Sequence, residues 1–159
     1  MAESTPTGQD TVYDVVILGG GSGGYAAALR SALLDQSVLL IEGGKLGGTC
    51  LHNGCIPTKA LLHAAEVADA ARDSSQFGVN STLESIDMGG VHKYKEGVVG
   101  RLFNGLKSLV KARGITMVEG WGKLVAADTV EVDGTRYRGK NIVLATGSYA
   151  RSLPGLEIG

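Results

Sequence analysis

The sequence has almost no net charge: 15 Lys and Arg against 16 Asp and Glu leave −1 with histidine neutral. So even a balance offers no electrostatic pull toward nucleic acid or an acidic membrane surface. No apolar stretch approaches the roughly 18 residues that a membrane-spanning helix needs. Only two cysteines are present, too few for a disulfide-stapled scaffold, and such a pair reads as catalytic or metal-binding rather than structural. Aromatic residues make up 5% of the chain and prolines number three, so there is neither an aromatic stripe nor a proline-rich linker; Trp121 and the tyrosines are expected in core and hairpin packing. Internal repeats and low-complexity segments are missing too. Residues 1–11 are polar, contain Glu3 and Asp10 and lack the basic start of a secretory leader. They are expected to form a flexible tail ahead of one domain over 12–159. A cytoplasmic location is the default, with an organelle matrix the alternative if a transit peptide has been removed.

What is abundant is glycine, at 25 of 159 residues. The glycines cluster at 19–24, 43–48, 89–90 and 114–122, between apolar runs, as expected for tight turns and close backbone approaches. Val12–Leu18 reads as a strand, Tyr25–Leu34 as a helix and Val38–Ile41 as a second strand. Strand, glycine turn, helix and strand make a βαβ unit, which implies a parallel sheet and a right-handed crossover. A helix is expected from Thr58 to about Arg72, after Pro57, and a loop over Phe77–Ser85. Asp87 can cap a long helix to about Arg113, along which Val91, Val98, Leu102, Leu106, Leu109 and Val110 recur at helical spacing. Its internal glycines each cost roughly 1 kcal/mol against alanine. Gly114 is a plausible stop. Short strands follow at Thr116–Glu119, Gly122–Val125, Thr129–Val132, Thr135–Arg138 and Asn141–Thr146, with Asp133-Gly134 as a hairpin turn. The fold class is therefore α/β: a Rossmann-like βαβ domain with a parallel sheet, long helices and a small antiparallel β-meander.

Gly19, Gly21 and Gly24, with Ser22 and Gly23 between them, satisfy G-x-G-x-x-G after a strand and at the start of a helix, the context that gives the pattern meaning. The first glycine permits the tight turn, the second lets backbone approach a pyrophosphate, and the third lets helix pack on strand. The helix N-terminus then offers N–H groups and a positive dipole end to the phosphates. Glu42 closes the second strand, 18 residues after Gly24. A carboxylate there accepts from ribose hydroxyls and repels a 2′-phosphate, which favours FAD or NAD over NADP. The alternative, a plain βα turn with an exposed glutamate, leaves the agreement of spacing, context and acid unexplained. The connection Leu34-Asp35-Gln36-Ser37 lacks the usual glycine, so Asp35 is expected to take the left-handed conformation at some cost.

Both cysteines lie in Gly48-Thr49-Cys50-Leu51-His52-Asn53-Gly54-Cys55-Ile56-Pro57-Thr58-Lys59. Zinc ligation fits poorly, because a second cysteine pair is missing and His52 and His63 are not in finger spacing. A structural disulfide closing so small a loop fits poorly as well. A redox-active disulfide fits best. Cys50 is read as preceding a helix whose N-terminal dipole lowers a thiolate pKa, and Lys59 brings positive charge near a thiolate or a reduced flavin.

This stretch, taken with Gly19–Gly24, Glu42 and Ala145-Thr146-Gly147-Ser148, resembles the pyridine nucleotide-disulfide oxidoreductases. Its wording is most similar to their dihydrolipoyl dehydrogenase branch rather than to glutathione, trypanothione or mercuric reductases. The resemblance runs from about Val12 to Leu156. It implies FAD bound by this portion and NAD bound by a further domain. Cys50 would be the interchange thiol, and Cys55 would lie against the flavin and form the charge-transfer thiolate. Lys59 would sit near flavin N5, Gly48 and Thr49 would contact the flavin or its phosphates, and Thr146, Gly147 and Ser148 would form a second FAD segment. It also implies a homodimer whose catalytic base histidine comes from the partner's C-terminal domain, leaving His52, His63 and His92 as bystanders. The partners implied are lipoyl groups of 2-oxoacid dehydrogenase complexes or of the glycine cleavage system, without nucleic acid or membrane. The NAD-binding and interface domains, and the Gly-Asp segment that completes the FAD pocket, have no counterpart in these 159 residues. The chain is accordingly expected to be an N-terminal portion, inactive alone; the alternatives are a non-catalytic FAD-binding module or another family member such as a glutathione or mercuric reductase.

Overall fold

The structure, a computed structural model, describes residues 11–156. The expected tail lies outside the described residues except for Thr11. Strand β1 (Val12–Leu18) runs through the turn at Gly19 into helix α1 (Ser22–Ala32), and the chain returns as β2 (Val38–Glu42), parallel to β1. Three further helices follow: α2 (Gly48–His52), α3 (Cys55–Arg72) and α4 (Met88–Ala112), with a single 3-10 turn at Ser74–Phe77 between the last two. The chain ends in strands β3 (Thr116–Glu119), β4 (Gly122–Ala126), β5 (Thr129–Val132) and β6 (Thr135–Leu144). One six-stranded sheet results, in the order β3-β2-β1-β6-β5-β4. Its β3-β2-β1-β6 part is parallel, and β4, β5 and the first half of β6 form the antiparallel meander.

Side-chain alternation sorts the core into two layers. Val15 and Ile17 of β1, with Val38 and Leu40 of β2, point toward Ala28 of α1 and Phe103, Leu106 and Val110 of α4. Val16, Leu18, Leu39 and Ile41 point the other way, onto Val130 and Val132 of β5. The meander thus folds over the face of the parallel sheet that the helices leave open. A sheet covered on both faces accounts for the unbroken apolar run of β2. Val16, Ile17, Leu39, Leu40 and Ile41 are fully buried, and each such side chain stabilises the fold by about 1.5–3 kcal/mol.

Three expected boundaries shift for physical reasons. The two strands expected at 135–138 and 141–146 are one strand through Leu144, which pairs with β5 up to Arg138 and with β1 from Arg138 onward. Gly139 makes this crossing possible, because a Cβ there would stand 2.7 Å from Cγ2 of Val16. Helix α1 starts at Ser22 rather than Tyr25, and α3 starts at Cys55 rather than Thr58. Pro57 stands within the first turn of α3, where a missing N–H breaks no helical bond. Helix α4 matches its expected span: Asp87 caps it by accepting from the Gly89 N–H at 2.9 Å, and Gly114 ends it at φ 67°. Asp35 takes the left-handed conformation (φ 57°), and Asp133-Gly134 turns the hairpin with both φ positive.

Candidate functional site

A cleft of about 480 Å³ opens at the C-terminal ends of β1, β2 and β6. There β1 feeds its crossover toward β2 on one side and lies beside β6 on the other, the kind of crevice where open α/β sheets take ligands. Five backbone segments wall it: the turn at 19–23, the end of β2, the start of α2, the β3–β4 link, and residues 145–148 after β6.

The glycines of the first turn have separable roles. Gly19 stands at φ 104°, and a Cβ on it would run into the Ala145 carbonyl oxygen. Gly24 is buried beneath it, and a Cβ there would overlap the Gly19 carbonyl oxygen, so α1 lies directly under the end of β1. On the cleft side there is room: no atom approaches a Cβ at Gly21 closer than 4.0 Å, and none lies within 4 Å of one at Gly23. No side chain caps α1 and no acid stands in its first turn. Its first N–H groups, which have no intrahelical acceptors, therefore remain available to an anion in the cleft. This turn fits a pyrophosphate.

Glu42 braces the turn from behind. Its Oε2 accepts from the Gly20 N–H at 2.5 Å and its Oε1 from the Gly44 N–H at 2.7 Å. Each oxygen keeps lone-pair capacity for a ribose hydroxyl. The second glycine turn is tied to the first by Gly47 N–H donating to the Gly20 carbonyl at 2.8 Å. Gly48, at φ 60°, packs so closely that a Cβ on it would stand 2.7 Å from the Gly21 Cα. This contact brings the two-cysteine segment against the first glycine turn.

Cys50 precedes the long α3, as the sequence suggested, but itself sits inside the short α2, and it lines the cleft. The first residue of the 18-residue α3 is Cys55, so the stronger helix dipole acts on that sulfur. The Cys50 thiol is pushed above its ordinary pKa, first by its hydrogen bond with Cys55, then by burial and by the charge of Cys55; Lys59 pulls the other way. The two side chains are therefore direct partners. Cys50 is half-buried and Cys55 exposed. Cys55 and Lys59, one turn apart on α3, are outside the wall of the cleft, as is Gly24 beneath it. Gly19, Gly21, Ser22, Gly23, Glu42, Gly48, Thr49, Thr146, Gly147 and Ser148 all line it. Among the described residues no three His, Cys, Asp or Glu side chains converge as a metal site would require.

Two neighbours of the site were not legible in the sequence. Trp121, expected in packing, is 83% exposed and forms a wall of the cleft with its indole over Gly43, where a Cβ would meet the ring at 2.5 Å. Its one sequence signal is position: an aromatic residue between Gly120 and Gly122, just past a parallel strand. His52 is half-buried, its Nε2 2.9 Å from the Leu46 carbonyl and its ring edge-on to Phe103.

A Rossmann-like βαβ turn sharing one cleft with Cys50, one member of a cysteine pair, is the architecture of a dinucleotide-binding redox protein. The chain belongs to the pyridine nucleotide-disulphide oxidoreductase family, whose model matches residues 13–158. It is 44% identical to a dihydrolipoyl dehydrogenase of Bacillus subtilis over 93% of this chain and 34% of that protein. It is 43% identical to the mitochondrial dihydrolipoyl dehydrogenase of Pisum sativum over 91% of this chain and 30% of that protein. To the enzyme of that name from Acholeplasma laidlawii it is 39% identical, over 91% of this chain and 44% of that protein. The chain thus spans between three and four and a half tenths of the length of these relatives. Flavin and nicotinamide dinucleotides are the cofactors that the family implies. Among the described residues no helix is long and apolar enough to cross a membrane.

Proposed function

We propose that residues 12–159 are the FAD-binding, disulfide-bearing portion of a dihydrolipoyl dehydrogenase, which oxidises dihydrolipoamide to lipoamide and reduces NAD+ to NADH. The observation that carries this reading is that Cys50 and the glycine turn share one cleft. In it Gly19, Gly21, Ser22, Gly23 and Gly24 shape the pyrophosphate seat and Glu42 accepts from the ribose. Gly48, Thr49, Thr146, Gly147 and Ser148 border the flavin half, and Lys59 supplies positive charge beside the cysteines. FAD, when bound, supplies a two-electron relay between the cysteine pair and the nicotinamide.

The chain's own chemistry is thiol exchange. A dihydrolipoyl thiolate attacks Cys50 Sγ of the Cys50–Cys55 disulfide, and Cys55 leaves as a thiolate at the start of α3, where the dipole stabilises it. The second lipoyl sulfur then attacks the mixed disulfide, freeing Cys50 and closing lipoamide. NAD binds on a separate domain, the base histidine comes from the partner of a homodimer, and lipoyl groups of multienzyme complexes are the partners. The names of relatives from bacteria and mitochondria support a cytoplasmic or matrix location.

The full-length protein is expected to be yellow, to hold one FAD per chain, to bleach with NADH and to reduce NAD+ with dihydrolipoamide. Cys50→Ser is expected to keep the flavin and lose more than about a thousandfold in lipoamide turnover. Flavin bound without NADH bleaching would instead identify a non-catalytic FAD module, and no flavin uptake at all would sink the reading.

A further inference from the structure

We infer that His52 is a positioning residue that holds Cys50 against Cys55 when the pair is reduced, and so lowers the reduction potential of the pair. The inference rests on the proposed Cys50–Cys55 disulfide. Helix α2 has five residues and opens on two left-handed glycines, its cap Gly47 and its first residue Gly48, so no helical run precedes it. A helix of little more than one turn does not hold itself. Its hold comes from outside. Leu51 is buried beneath Gly47, and His52 closes the end.

The His52 contact joins three parts of the molecule. A carbonyl only accepts, so Nε2 carries the proton and donates to Leu46 O at 2.9 Å. Leu46 is itself buried, and the next residue, Gly47, is bonded to Gly20 of the dinucleotide turn. The imidazole also stands edge-on to Phe103 of α4, with ring centroids 5.2 Å apart and planes at 73°. Phe103 packs against the helix-side core and carries the Lys107 ammonium over its ring at 5.4 Å. One side chain, two residues from Cys50, thus ties the end of α2 to the main core and to the backbone that builds the cleft.

The consequence differs between redox states. Reduction by a dithiol moves two electrons and two protons: the Cys50–Cys55 bond breaks, two thiols form, and the reagent closes its own disulfide. While oxidised, the pair is held by its covalent bond. Once reduced, only contacts such as that of His52 keep Cys50 facing Cys55, and the effective concentration of one thiol at the other sets how readily the bond re-forms. Loosening the clamp frees the dithiol and leaves the disulfide where it was, so the pair becomes easier to reduce.

The test is a thiol–disulfide titration of the full-length protein in dithiothreitol buffers of graded potential, with alkylation and mass counting of the two thiols. His52→Ala is expected to lower the equilibrium constant for disulfide formation about tenfold, a rise of about 30 mV. His52→Phe keeps the ring contact but loses the donor, and is expected to fall about threefold. His52→Gln, whose amide N–H2 can reach the same carbonyl, is expected to titrate near the parent. If the alanine variant fails to fold, the Phe and Gln pair decides the question. Equal potentials across the set overturn the inference while leaving the disulfide intact. A parent protein that keeps two free thiols in every buffer overturns both the inference and the disulfide on which it rests.

Discussion

Gly24 and Gly23 are neighbours in the same helical turn, and the space around them could hardly differ more. A methyl group on Gly24 would overlap the Gly19 carbonyl, and the neighbouring atoms are backbone that cannot swing aside. Gly24→Ala is therefore expected to cost about 3 kcal/mol, at the upper end of overpacking penalties. Gly23→Ala meets open space and gains helix propensity, so it is expected to be neutral or to stabilise by up to about 1 kcal/mol. Urea unfolding of the two variants checks the pair; similar midpoints would mean that α1 does not lie tight beneath β1. These glycines were legible in the sequence because their spacing is the spacing of the job. Trp121 and His52 were not, since their roles depend on which distant elements come to lie beside them.

Among the elements, the long apolar or capped ones could be read from the chain and the short ones could not. β1 and α4 carry their own signals: a β-branched run, and an aspartate followed by a seven-residue recurrence closed by glycine. α2 has five residues and no apolar period, and exists because the second glycine turn is bonded to the first. In β6, where two strands were expected, Gly139 serves a close crossing and the strand runs on without a break. The sheet is also pinned at the N-terminal end of β1. Asp14 accepts from the Ser37 N–H at 2.8 Å, the Ser37 hydroxyl at 2.7 Å and the Lys140 ammonium at 2.7 Å, joining β1 to the start of β2 and to β6. Lys140 first, then Ser37, holds the Asp14 carboxyl well below its ordinary pKa, and Arg138 of β6 lowers that of Asp128, the residue just ahead of β5. A carboxylate whose folded pKa is depressed adds stability that is complete above its unfolded value, near 4, and is lost as pH falls toward the folded one. Thermal melts are therefore expected to fall as pH drops below about 4, and Asp14→Asn is expected to flatten that slope. An unchanged slope in the variant would remove Asp14 from the account. Both groups are partly exposed, so added salt is expected to weaken the effect.

For the whole molecule, the sequence carried the βαβ logic and the meander, but not how they combine. Nothing local in β4 and β5 says that they fold back over the parallel sheet; that follows only once Val130 and Val132 meet Val16 and Ile41. The helices leave apolar side chains such as Leu62, Val67, Leu102 and Leu109 exposed. The same combination of layers brings the β3–β4 link, with the sole tryptophan of the chain, to the edge of the cleft. The protein thus carries its own reporter. Trp121 is largely exposed and stands beside Glu42, at the end of the cleft assigned to the adenosine half of FAD. An adenine seated there would lie within contact of the indole, and the flavin further along absorbs where tryptophan emits. Titrating FAD into the flavin-free protein is expected to quench Trp121 emission in step with flavin uptake and to reach its end point at one equivalent. Glu42→Ala is expected to shift the same curve to higher FAD concentration, because the carboxylate accepts from the Gly20 N–H and, on the proposed function, from the ribose as well. Flavin uptake that left the emission untouched would place the cofactor somewhere other than the cleft where the glycine turn and Cys50 meet.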